Sequence, residues 1–231
     1  MNGTRFSRPI PLALTTLVAF FAALTALAVS NGHDAHAHGN ATALAEPASP
    51  SQAALRSDMR VLWEDHITWT RLAIISLAAG SPDTNATVSR LLRNQVDIGN
   101  AVKPFYGKAA GNALTAKLRE HILIAADVVT AAKAGDTAKL TAAQSRWRKN
   151  ANEIAALLAS VNPRYWPLAR MRAEMAKHLA LTTQEAVARL QGRWVADVAA
   201  YDRVHQHILH MSDLLANGLV KQFPDRFGDA G

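Results

Sequence analysis

Leu62-Trp-Glu-Asp-His-Ile-Thr-Trp-Thr-Arg71 sets two tryptophans and a histidine into a helical pattern. Steps of alternating threes and fours from Leu55 through Met59, Leu62, His66, Trp69 and Ala73 to Leu77 trace one apolar stripe, interrupted only by the imidazole. That period, held for about six turns, predicts an amphipathic α-helix with His66 turned toward a core. Every later long segment repeats the period, and none alternates as a strand would.

Punctuation divides the chain into helices. Gly80 ends the first, and Ser81-Pro82 starts a second with Val88, Leu91, Gln95, Ile98 and Val102 inward, expected to stop at Lys103-Pro104. Gly107 turns into a third carrying Leu114, Leu118, His121, Ala125, Val128 and Ala132, closed by Gly135. Asp136 is placed to cap a fourth with Leu140, Ala143, Trp147, Asn150, Ile154, Leu157 and Val161 inward, ended by Asn162-Pro163. A short fifth bears Met171, Met175 and His178. Thr182 to Glu185 reads as a capping box that opens a last helix of roughly 60 Å, bent at Gly192. Its expected stripe is Leu190, Trp194, Val198, Tyr201, His205, Ile208, Ser212, Leu215 and Leu219, which leaves His207 and His210 on the surface. Short turns between long helices predict an all-α, antiparallel up-and-down helical bundle, four long helices with two shorter ones alongside.

Ahead of the bundle, Arg5 and Arg8 precede an uncharged apolar run from Ile10 to Val29, and Ala26-Leu27-Ala28 has the small residues of a cleavage site. Residues 1–28 are expected to be an export signal that delivers the chain to the periplasm or the medium. The run of about 20 residues is also long enough for an uncleaved anchor, attaching the chain to the inner membrane through residues 10–29. Residues 29–51 have the composition of a disordered linker, with His33, His36 and His38 able either to capture copper or zinc or to serve as a solvated spacer. Residues 52–227 are long enough for one domain.

The chain has no cysteine, which removes disulfides, thiolate metal sites and thiol nucleophiles. Gly-rich phosphate loops, a Gly-x-Ser-x-Gly elbow and a dinucleotide fingerprint are missing, so nothing points to an enzyme class. The net charge of +7 is interspersed with acidic residues, which argues against nucleic acid as a partner.

Five inward positions near mid-helix are polar: His66, Gln95, His121, Asn150 and His205. Burying a polar group without a partner costs about 1 to 3 kcal/mol, so they are expected to lie together. One reading is a hydrogen-bonded layer that fixes helix register. The other is a site in the bundle core. There His66, His121 and His205, with Glu153 or Asp202, would hold zinc or copper, and Gln95, Asn150, Trp69 and Tyr201 would contact a cofactor. His178 with Met171 and Met175 is a further candidate for a soft metal or haem, against the plainer reading of methionine as core filling. The stretches Glu120-His-Ile-Leu-Ile-Ala-Ala-Asp127 and Gln206-His-Ile-Leu-His-Met-Ser-Asp213 hint at an internal duplication.

Leu62–Arg71, Arg90-Leu-Leu-Arg-Asn-Gln-Val-Asp-Ile-Gly-Asn100, Lys103-Pro-Phe-Tyr-Gly107 and Gln222-Phe-Pro-Asp-Arg-Phe227 resemble the motifs of a bacterial family of exported helical proteins. Members carry names such as glycosyltransferase or acetylglutamate kinase. The resemblance spans nearly the whole mature chain and implies a helical fold. No nucleotide-sugar or ATP motif accompanies it, so it implies no reaction.

Overall fold

The computed structural model describes residues 50–227. The expected export signal and His33, His36 and His38 lie outside the described residues, as does all of the linker but its last two positions. Every regular element described is helical: α1 (Pro50–Ala79), α2 (Thr84–Ala134), α3 (Thr137–Val161), α4 (Leu168–Leu190), α5 (Trp194–Gln222) and a 3-10 turn (Pro224–Arg226). No helix among the described residues is long and apolar enough to cross a membrane.

The second helix is two arms. At Gly107 the backbone takes φ 82° and ψ 171°, a region open to glycine and strained for any other residue, and the chain folds back on itself. Arg119 Nη1 on the second arm donates to the Leu92 carbonyl on the first at 3.1 Å. Gly99 and Gly111 let the arms nearly touch, since a Cβ on Gly99 would lie 2.7 Å from the Gly111 carbonyl oxygen and 1.9 Å from Thr115 Oγ1. The expected stop at Lys103-Pro104 is displaced. Pro104 sits within the helix, and only Gly107 interrupts it.

Asp136 caps α3 as expected, accepting from the Lys139 amide at 3.0 Å. No helix starts at Thr182, however. Thr182 Oγ1 donates instead to the His178 carbonyl one turn back at 2.9 Å, and the Glu185 carboxylate is buried against Arg71 at 3.0 Å, so neither side chain is left to cap. The break falls ten residues later, where Gly192 takes φ 68° and the chain reverses into α5. The expected bent 60 Å helix is therefore two antiparallel helices.

Side-chain links run antiparallel around the bundle. Helix α1 meets the first arm of α2 where Asn94 Nδ2 donates to the Leu62 carbonyl at 2.9 Å. The second arm meets α3 where Arg146 pairs with Asp127 at 2.8 Å. Helix α1 meets α5 at both ends, through Arg60 with Asp213 at 2.6 Å and through Arg71 with Asp197. Inside lie Ile67, Ile154, Val204, Ile208 and Leu219, all fully buried, and Trp166, whose indole lies against Gly218.

Candidate functional site

Four of the five expected polar residues are buried, and they form two separate links. Gln95 Nε2 donates to the Leu91 carbonyl at 2.9 Å and to Asn94 Oδ1 at 3.0 Å, which fixes its amide orientation and turns the same nitrogen toward His66 Nδ1 at 3.3 Å. The two Gln95 amide hydrogens serve three acceptors, so His66 Nδ1, the most distant, receives the weakest of these bonds, and Gln95 Oε1 is buried without a partner. Asn150 Nδ2 donates to the Lys117 carbonyl and to Glu120 Oε2, both at 3.1 Å, leaving its Oδ1 to accept from His121 Nδ1 at 2.8 Å. His121 Nε2 in turn accepts the indole N–H of Trp147 at 3.1 Å. Both ring nitrogens of His121 are thus committed. Burial pushes His66 and His121 down to about 4, and the nearby His121 lowers His66 further, so both are neutral at neutral pH.

The fifth residue is elsewhere. His205 lies on the α1–α5 seam with its Nε2 2.7 Å from Glu64 Oε2, beside Tyr201 and partly exposed. Glu153 pairs with Lys117 at 2.6 Å near the surface, and Asp202 is exposed. The expected ligand set His66, His121, His205, Glu153 and Asp202 is not brought together. Among the described residues no group of three or more His, Cys, Asp or Glu is placed to hold a metal. Nor do the aromatic candidates join the layer. Trp69 packs in a small cluster with Ala73, Leu91 and Ile122 under the Arg90 guanidinium, and Tyr201 lies beneath Arg71.

His178 stands where His205 was expected. Its ring centroid lies 6.0 Å from that of His66 and 6.1 Å from that of His121. On its other side His207 is stacked at 6.3 Å, followed by His210 at 6.5 Å, whose side chain is exposed. A file of imidazoles thus leads from the core to the surface, and His207, expected on the surface, is buried. The two similar octapeptides place His121 and His207 alike, each stacked on His178 at an interplanar angle of 27°. Each also turns its final aspartate to an arginine, Asp127 to Arg146 and Asp213 to Arg60.

The layer borders a cavity of about 40 Å³ enclosed by α1, α2, α3, α4, α5 and Trp166. Trp63, the three imidazoles of His66, His121 and His178, and the thioethers of Met59, Met175 and Met211 line it among aliphatic residues. Three residues of this lining carry a buried polar atom without a hydrogen-bond partner, His178 Nδ1, Trp63 Nε1 and Trp166 Nε1, the last lying against Gly218. His207 Nδ1 is buried without a hydrogen bond, 3.8 Å from Glu174 Oε2. Its Nε2 donates to the Glu174 carbonyl at 3.1 Å, which makes Nδ1 the bare nitrogen. Burial, and then the neighbouring imidazoles of His66, His121 and His207, hold His178 well below the ordinary histidine range.

Trp63, Met211 and His207 were the residues that stripe-reading missed, whereas Met59 is buried on the α1 stripe as expected. Their signal was present in part, since Trp63 adjoins the α1 stripe and Met211 follows His207 by four. No family model, curated protein or solved structure matches the chain.

Proposed function

We propose that this chain is an exported, non-catalytic helical-bundle protein that binds a small ligand in its core cavity. The observation that supports this reading is a core cavity of about 40 Å³ whose wall brings together the three histidines His66, His121 and His178. The volume suits an ion or a group of a few atoms. Export rests on Arg5, Arg8 and the apolar run Ile10 to Val29, and N-terminal sequencing of the secreted chain is expected to begin near Val29.

Mass spectrometry under non-denaturing conditions on the chain isolated from its own cells tests the ligand. A stoichiometric adduct that is lost in His178→Leu supports the reading, and a bare chain overturns it. A second reading, that the layer only sets helix register in an envelope or interaction protein, is favoured by the completed link Trp147–His121–Asn150. A bare chain would leave that reading standing.

A further inference from the structure

Eight large apolar side chains are exposed among the described residues, and three of them, Trp194, Val195 and Val198, fall within five residues at the start of α5. Single exposed apolar residues are ordinary, whereas a cluster marks a surface that meets something other than water. Val195 is 87% exposed and Trp194 58%. Both follow directly on the Gly192 reversal, so they project from a corner of the bundle.

The corner is braced. Arg71 on α1 grips both carboxylate oxygens of Asp197, and Arg189 on α4 donates to Asp197 Oδ2 at 3.3 Å. The same Arg189 guanidinium lies 4.8 Å from the centroid of the Trp194 ring. A buried carboxylate and two cations thus prop the indole outside the core, and nothing in the packing of the core requires it there.

The charge left over at this end of the bundle is positive. Arg193, next to the patch, is exposed and in no ion pair among the described residues. Lys133, at the end of α2, spends its ammonium on the Leu77 carbonyl at 3.0 Å and not on a carboxylate. Asp197 is taken by its two arginines and Asp136 by Lys139 at 3.0 Å. Exposed Asp83 lies on the separate α1–α2 turn, and exposed Asp202 lies a turn past Val198, away from the corner.

We infer that the α4–α5 corner docks on an anionic lipid surface, with Trp194, Val195 and Val198 entering the interface and Arg193 pairing with lipid phosphates. An indole favours the headgroup level, aliphatic side chains gain by leaving water, and a free cation is drawn to a negative surface. A second copy of the chain fits less well. A symmetric pairing of two such corners sets Arg193 against Arg193, and three side chains fall short of the area of about 1,200 Å² that a stable dimer buries. No described helix crosses a bilayer, so the contact is peripheral and reversible. It goes beyond the cavity reading and does not depend on it.

The test mixes the chain beginning at Val29, which lacks most of the apolar run, with vesicles of phosphatidylcholine alone or phosphatidylcholine with phosphatidylglycerol. Binding is read by co-sedimentation and by quenching of tryptophan fluorescence with brominated lipid. Binding to the anionic vesicles is expected, weakening as salt rises and about tenfold or more lower without phosphatidylglycerol. Arg193→Glu is expected to lower affinity by about tenfold or more and Val195→Ser by about threefold or more, with denaturation midpoints unchanged because both side chains are exposed. Trp194→Phe is expected to bind and to lose most of the quenching. Equal binding by the parent, Arg193→Glu and Val195→Ser would place the lipid contact elsewhere and overturn the inference, as would a parent chain that ignores anionic vesicles. A doubled mass in solution that Val195→Ser abolishes would give the face to a second copy and overturn it as well.

Discussion

Trp147 donates its indole hydrogen to Nε2 of His121 at 3.1 Å, which closes the last open position on that imidazole and locks α3 to the second arm of α2. Trp147→Phe leaves the nitrogen buried and unpartnered, and is expected to destabilise the chain by about 2 kcal/mol or more. Urea denaturation checks this. A loss under about 0.5 kcal/mol, the range of ordinary surface changes, would mean that the link contributes nothing.

Glu185 sets the pH dependence on the alkaline side. Burial pushes its carboxyl up to about 7; the bond from Arg71 opposes that rise, and the nearby Asp197 adds to it. Because the folded chain holds this proton where the unfolded chain, near 4.5, has released it, the contribution is full below 4.5 and lost as pH rises through 7. Above about pH 6.5, where His66 and His121 are neutral folded or unfolded, stability is therefore expected to fall toward pH 8; below it their lowered values act in the opposite direction. Glu185→Gln should flatten that limb, and an unchanged slope in denaturation midpoints would assign the proton elsewhere.

The two tryptophans of the opening stretch differ. Trp63 is buried at 6% exposure and lines the cavity, whereas Trp69 is only half-buried in a small side cluster. Trp63→Ala is expected to cost about 3 to 5 kcal/mol, and Trp69→Ala about 1 to 2 kcal/mol. Equal losses in chemical denaturation would overturn this assignment of faces.

His66, Gln95, His121 and Asn150 were legible because their helices run unbroken through those positions, so a stripe started at one end keeps its phase to the other. His205 was misread for the opposite reason. Its stripe was carried from Leu190 across Gly192, where the chain reverses, and the first half of α5 came out of phase: Val204 and His207 face inward and His205 the seam. The false start at Thr182 has a similar origin, since a capping box and a buried Thr and Glu read alike in sequence. Met211 and Trp63 sit one residue off the expected stripes, and only packing shows that they line a common cavity with Met59.

Replacing His178 isolates the energetic cost of the site. His178→Leu removes a buried nitrogen without a partner, and is expected to raise stability by about 1 kcal/mol. Thermal unfolding checks this. A destabilised variant would show that the imidazole is satisfied in solution.

Gly107 gives the fold a single point at which its connectivity can be rewired. Nothing lies within 4 Å of where a Cβ would stand, so Gly107→Ala meets no steric obstacle, only a forbidden backbone angle that a continued helix would relieve. A straightened α2 would span roughly 75 Å and carry its second arm, with α3, α4 and α5, onto another copy. The expected product is a domain-swapped dimer, seen as a doubled mass in solution. Each of its two cavities would then be shared, with Met59 from one chain and His178, Met175 and Met211 from the other.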